Sequence, residues 1–426
     1  MGSAFSTALS ALNADASAID IVGNNLANLN TTGFKASTAD FSDVMSEQLG
    51  AGGGNGQVGL GVGQILSVQQ FTQGTMTTTG GALDAAIQGN GFFVVTDSNN
   101  NQLYTRDGSF QLSANGTLET MTGQNVQGWT ATDDVVNSNG PTGNITVPVG
   151  STMAPQATAN MSMDVNLNSA TAVNGTFSAP IQVYDSLGQA HTLTVTFTET
   201  APEAWSYSVN IPNADLASPA SGTTSTSTSL VTGTLGFDAN GNLTNPANTM
   251  PGAPNAPVAI SSSSNPLADQ ANLNVNWNLF NSAGTQLITQ YAQTSAMSNP
   301  TQDGFAAGAV SQVSIQNGGL VVANYTNGQQ MTVGQLAVAS IANPTSLLQV
   351  GDNNLQASAV TAQAAIGAAG TGGNGTIEGG ALEASTTDMA SEFTKLLSYE
   401  RSYQAASRVI TTSDTLAQET VNLVHS

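Results

Sequence analysis

The sequence predicts a mainly β chain with long terminal α-helices, in which coiled-coil-like N- and C-terminal helices enclose nested, discontinuous β-rich domains. Three observations carry that prediction. From Ala381 to the end there is neither Gly nor Pro, although Gly occurs 45 times in 426 residues. Near the other end, Phe5, Leu9, Leu12, Ala16, Ile19 and Leu26 step by four, three, four, three and seven, the 3.5-residue period of a coiled coil. Between the two lie short alternating runs separated by Gly-, Asn- and Asp-rich turns, the pattern of sheets and hairpins.

In the C-terminal stretch apolar residues recur at Leu382, Met389, Phe393, Leu396, Tyr403, Ala406, Ile410, Ala417, Val421 and Val424. Steps of mostly three, four and seven set them along one helix face. A helix from Leu382 to Val424 is about 65 Å long, and so narrow a stripe asks for another helix beside it. The two terminal stripes could pack on each other within one monomer. Their lengths differ too much for a closed pair to bury both, so the surplus points to neighbouring subunits. Contacts that repeat without closing build an open helical polymer. The expected subunit contacts are Phe5, Leu9, Leu12, Ile19, Leu26, Phe393, Leu396, Tyr403, Ile410 and Val421.

With both ends in one body, the middle is an insertion and the boundaries nest. Residues 1–30 with 381–426 are expected to form a helical polymerisation core, 31–70 a linker segment, 71–144 with 285–380 an inner β-rich domain, and 145–284 an outer one. Phe92 to Thr96 reads as a strand after the Gly89-Asn90-Gly91 turn, and Ser113 to Leu118 as a hairpin built on Asn-Gly. In the outer body, Ile181–Tyr184 and Thr192–Phe197 are strands joined through Asp185-Ser186-Leu187-Gly188, and Phe237 to Leu243 is another hairpin. Short strands and turns of this kind argue for a sandwich or barrel. Ser218 to Ser229 reads as a surface loop. Val310–Ile315, Leu320–Tyr325 and Leu336–Ile341 read as strands of the inner body, and Gly367 to Gly380 as a flexible joint into the long helix.

Charge is lopsided. Against 27 acidic residues stand five basic ones, Lys35, Arg106, Lys395, Arg401 and Arg408, for a net charge of −22. That balance argues against nucleic acid or an anionic membrane surface as partner. Asp15 and Asp20 are the only charged residues of the N-terminal helix, and at least one pair with Arg401 or Arg408 is expected, within or between subunits. The absence of cysteine removes disulfides, thiol catalysis and cysteine zinc sites. No cleavable secretory signal and no membrane span is expected.

Candidate chemistry is thin. Gly54–Gly59 and Gly370–Gly375 match G-x-G-x-x-G without the strand and helix that a phosphate site needs. Asp97 to Asn101 begins like a calcium loop, but Gln102 and Gly108 stand where Gly and Glu are required, so it reads as a surface turn. His191 reads as a solvent-facing hairpin residue, and His425 is penultimate. No catalytic constellation is visible, so neither enzymatic activity, cofactor nor metal is expected.

Val22 to Lys35, VGNNLANLNTTGFK, resembles the signature that opens bacterial flagellar rod and hook proteins, carried by Asn24, Asn25, Leu26, Ala27, Asn28, Thr32, Gly33, Phe34 and Lys35. Ala381 to Asp414 is similar to the closing segment of that family, with departures at Ser385-Thr386-Thr387-Asp388 and at Glu400 to Ala406. Gly89 to Phe110 resembles its shared β-rich domain. The resemblance implies an extracellular structural subunit of a helical homopolymer, the flagellar hook, a flexible coupling that transmits torque from rod to filament. It implies export by the flagellar export apparatus, and contacts with a hook cap protein, the distal rod protein and a hook–filament junction protein. The alternatives are a distal rod protein of the same family, which would lack most of Ile145 to Gly284, or a secreted β-rich adhesin.

Overall fold

The structure, a computed structural model, describes residues 2–44, 47–48, 57–58, 61–217, 226–246, 257–262, 266–268 and 271–424. The Gly54–Gly59 motif apart from Gln57–Val58, the 218–225 part of the expected surface loop, and His425 lie outside the described residues. The chain is mainly β, with one long helix at each end: α1, Gly2–Ala27, and α2, Met389–Val424. It divides into two compact units. The first comprises Met1–Val149, Ser311–Asn324 and Gln330–Ser426, and the second Gly150–Val310 with Tyr325–Gln329.

The first unit also holds a sheet in the order Leu320–Tyr325, Gln330–Ser340, Asn125–Thr132, Phe92–Thr96, Gln102–Thr105, Asn354–Gln356 and Leu348–Gly351. Phe92, Val94, Tyr104, Trp129, Ala337, Ala339 and Leu355 form a core on it. The indole of Trp129 stays satisfied there by donating to Gly140 O at 2.8 Å. Three short ladders tie distant segments together. Ser37–Asp40 pairs with Leu66–Gln69, Met76–Thr78 with Ala381–Glu383, and Ala85–Gln88 with Thr376–Gly379.

These ladders correct two expectations. Leu382 lies in a strand, so the C-terminal helix starts later, where Asp388 caps it by accepting Ser391 N at 2.7 Å on Oδ1. At 36 residues α2 is about 54 Å long. The glycine-rich stretch from Gly367 to Gly380 is no free joint either. Its ends belong to the strands Ala365–Ala368 and Thr376–Gly379, and the glycines form the turn between them. Small residues are required at this approach, since a Cβ at Gly379 would meet Ile315 O at 2.1 Å.

The second unit is a sandwich. Thr176–Tyr184, Ala190–Ala201, Ala204–Pro212, Ser227–Phe237 and Leu243–Asn245 make an antiparallel meander. The facing sheet is mixed, with Asn160–Asn168 parallel to both Asn274–Asn278 and Ile288–Tyr291. Inward residues of both sheets, among them Leu167, Val195, Phe197, Trp205 and Trp277, share one core. The strands Ile288–Tyr291 and Ala296–Gln302 were expected in the inner body, but both pair with Asn160–Asn168. The second of them reads Ala-Met-Ser-Asn-Pro-Thr-Gln and is almost wholly exposed, so it carries no apolar alternation to betray it.

His191 corrects another expectation. It is buried, with Nε2 3.2 Å from Asp185 Oδ2, while Nδ1 lies 3.1 Å from Asp215 Oδ2 without hydrogen-bond alignment. The core-facing row of its strand is His191, Leu193, Val195, Phe197 and Glu199, so a titratable group closes each end of an apolar run. Glu199 is buried and its Oε2 has no hydrogen-bond partner among the described residues. Burial raises its pKa above the ordinary 4.5. The folded unit therefore keeps a proton that the unfolded chain has released, and the stabilisation this gives is complete below the unfolded pKa. It is lost as pH rises through the folded one. The expected outcome is that thermal stability of the second unit declines as pH rises from about 4.5, and that Glu199→Gln flattens the decline and gains about 1 kcal/mol at pH 7. Calorimetry across pH checks both points.

Candidate functional site: an assembly surface on the terminal helices

Helix α1 has two apolar faces, and the structure uses the one with small side chains. Ala8, Asp15, Ala18, Val22 and Asn25 are buried, at steps of seven, three, four and three. Side chains this small let a second helix axis come close. That helix is α2. Asn25, near the end of α1, donates from Nδ2 to Glu392 Oε2 at 3.0 Å near the start of α2, so the two helices run antiparallel. On α2, Leu396, Ala406 and Ile410 are half-buried on the side that buried Glu392 marks. With 26 residues against 36, α1 is about 15 Å shorter.

The expected contact residues therefore fall into two groups. Leu396 and Ile410 are drawn towards α1, and Leu12, Ile19 and Leu26 are half-buried. Phe5, Leu9, Phe393 and Val421 stay 42–56% exposed, and Tyr403 is 37% exposed. Leu397 and Leu416, outside the expected stripe, are also open, at 55% and 50%. A 3.5-residue repeat locates a seam but does not say which of two adjacent faces the partner within the chain takes.

The signature segment is a joint. Asn24 and Ala27 are exposed, while Asn25, Gly33, Phe34 and Lys35 are buried. Asn25 grips the backbone of Ser37, donating to its O at 2.7 Å and accepting its N–H at 2.9 Å. Asn28 folds back to donate to Asn24 O at 2.9 Å, and Thr32 O accepts from Asn353 Nδ2 at 2.8 Å. Gly33 has φ of +65° and donates to Glu383 O at 2.7 Å. A Cβ there would sit 2.5 Å from the Arg106 carbonyl carbon, so only glycine fits.

Glu383 organises the joint. Its Oε1 accepts from Lys35 Nζ at 2.6 Å and from Gly74 N at 2.7 Å, and its Oε2 lies 3.2 Å from Arg106 Nη1. Lys35 also donates to Thr72 O at 2.7 Å, and Arg106 to Gly89 O at 2.8 Å. Burial pushes the pKa of both cations down, and the Glu383 carboxylate opposes that shift. A third cation, Lys395, pairs with Glu392 one turn into α2. Phe41, just after the Ser37–Asp40 strand, meets Tyr399 with rings tilted by 37° and centroids 5.9 Å apart. The sequence reading missed Glu383, Glu392 and Arg106. The available signal was scarcity, since Lys35 and Arg106 are two of only five cations.

No ion pair joins Arg401 or Arg408 to Asp15 or Asp20 within the described chain, so the expected pairing is absent inside the monomer. Asp15 is instead buried, and burial raises its pKa. The Gly370–Gly375 match precedes a strand and not a helix. Asp97 Oδ1 accepts Asn99 N and Asn101 N, both at 2.8 Å, which makes its segment a tight turn.

Four family profiles match along the chain: "Flagella basal body rod protein" over residues 5–35, "Flagellar hook protein FlgE/F/G D1 domain" over 86–167, "Flagellar basal body protein FlaE D2 domain" over 172–305 and "Flagellar basal body rod FlgEFG protein C-terminal" over 378–423. The flagellar hook protein FlgE of Escherichia coli K12 is 36% identical over 440 aligned residues, covering 99% of this chain and 100% of its own. That of Salmonella typhimurium LT2 is 34% identical over 435, covering 98% and 99%. A crystal structure of Helicobacter pylori flagellar hook protein FlgE2 aligns with a TM-score of 0.46 at 14% identity, over 66% of this chain and 93% of that one.

Replacing Glu383 by Gln leaves two buried cations without their counter-charge, which costs about 3–5 kcal/mol. The expected outcome is a lower melting transition for the first unit and an unchanged one for the second, resolved by calorimetry. Equal shifts of both would show that the joint is not confined to the first unit.

Proposed function

The chain belongs to the flagellar hook protein family, and from that premise we propose how its geometry makes a hook. It is a structural subunit of the hook and assembles with copies of itself in the flagellar axis. In our reading the terminal helices build the inner tube and the β units the shells around it. Those shells slide as the tube bends, so the polymer is a flexible coupling that carries torque from rod to filament. The observation that supports this is the apolar surface left on the helix pair, where Phe5, Leu9, Phe393, Leu397, Leu416 and Val421 are 42–56% exposed. Since each is already about half covered, burying the rest gains about half of the 1.5–3 kcal/mol of full burial, and polymerisation is what supplies the cover.

Further proposals follow from the family. Copies at the two ends of the tube meet the distal rod protein, the hook–filament junction protein and, during growth, a hook cap protein. The chain leaves the cell through the flagellar export apparatus and works outside it, as scaffold and not as catalyst. The distal rod reading is not favoured, because the segment such a protein lacks is here a complete sandwich matched over 172–305. Neither is an adhesin, since the hook relatives align over nearly the full length.

Phe393→Asp tests the assembly surface. At 49% exposed, the substitution costs the monomer little, about 0.5 kcal/mol or less. In a polymer it places an unpaired carboxylate in a buried contact and loses the phenylalanine's burial. Negative-stain imaging under polymerising conditions is expected to show tubes from wild type and none from the variant, whose melting curve stays that of wild type. Normal tubes from the variant would place the contact elsewhere.

A further inference from the structure

Charge on this chain narrows the possible contacts between copies by elimination. Of five Lys and Arg residues, Lys35 and Arg106 are held by buried Glu383, and Lys395 by Glu392. Arg401 and Arg408 remain, both exposed on α2. The chain carries a net −22, so approaching copies repel, and among the described residues these two arginines are the Lys and Arg side chains without an ion pair, available to offset that. On α1 the choice of partner is just as narrow. Asp15 is buried, which leaves Asp20 as the exposed charge of that helix.

Copies stacked along one axis share a direction, so α1 of one copy and α2 of the next run antiparallel, as they do within the chain. In that arrangement residue numbers on the two helices sum to a constant. Asp20 opposite Arg401 sets Phe5 opposite Leu416, because fifteen residues separate the members of each helix pair. Phe5 is 42% and Leu416 50% exposed in the single chain. The same register therefore joins opposite charges at one end and covers two open apolar side chains at the other.

We propose that Asp20 of one copy pairs with Arg401 of a second copy, in a register that packs Phe5 on Leu416. This rests on the reading of the helices as the assembly surface. Wild-type tubes are therefore the control, and their absence would count against that reading and not against the register.

The test is charge exchange, read as critical concentration for polymerisation at low and high salt. Asp20→Arg and Arg401→Asp are each expected to raise it about tenfold at low salt, with a smaller effect at high salt where the charges are screened. The double variant Asp20→Arg with Arg401→Asp is expected to return close to wild type. Rescue by Arg408→Asp in place of Arg401→Asp, or by neither, overturns the pairing. A second measurement does not depend on those variants folding. The chain has no cysteine, so Phe5→Cys with Leu416→Cys gives tubes that a short thiol crosslinker is expected to convert into covalent multimers. Crosslinking confined to single chains, or none, overturns the register.

Discussion

A buried carboxylate cannot be left alone, and the first unit is arranged around satisfying one. Glu383 takes Lys35, Arg106 and the backbone of Gly74 at 2.6–3.2 Å, with essentially no solvent to share. A triad of this kind is weak evidence for stability in itself, because desolvation consumes most of the attraction. Its value lies in position. Four segments far apart in sequence must meet at one point before all of these groups are satisfied. The meeting sets where α1 ends, where the strand before α2 runs, and where the bend after the inner sheet's Gln102–Thr105 strand docks. Partial formation leaves a buried charge unpaired, so the joint favours a single arrangement.

Charges are distributed accordingly. Every Lys and Arg lies in the first unit, and the second has none. The sandwich is held by apolar alternation and kept soluble by Asn, Ser and Thr, with Glu199 and His191 as buried polar ends to one row. Without cations it cannot form Lys or Arg ion pairs with a neighbour's second unit.

The terminal helices divide their work by side-chain size. Small residues on α1 let α2 close against it, while Phe5 and Leu9 on the adjoining face stay open and Leu12, Ile19 and Leu26 are only half-buried. A helix that used its large face internally would bury more within the monomer and keep less for its neighbours. The antiparallel pair thus stays a single folded unit while retaining apolar surface for assembly.

The sequence by itself determined the fold class, the presence and period of both helices, the hairpins at Leu112–Leu118 and Phe237–Leu243, and the family. Those features rest on local physics, on periodicity and turn chemistry, which neighbouring residues specify among themselves. Tertiary structure alone decided which face of α1 packs on α2, since both faces carry the same period. It also decided that Leu382 is a strand residue, that the glycine-rich stretch turns between strands of two separate ladders, and that Ala296–Gln302 belongs to the second unit. Each depends on a partner strand dozens to hundreds of residues away. His191 and Glu383 make the same point for charge, because burial is a property of what surrounds a side chain, and the surroundings exist only after the chain has folded.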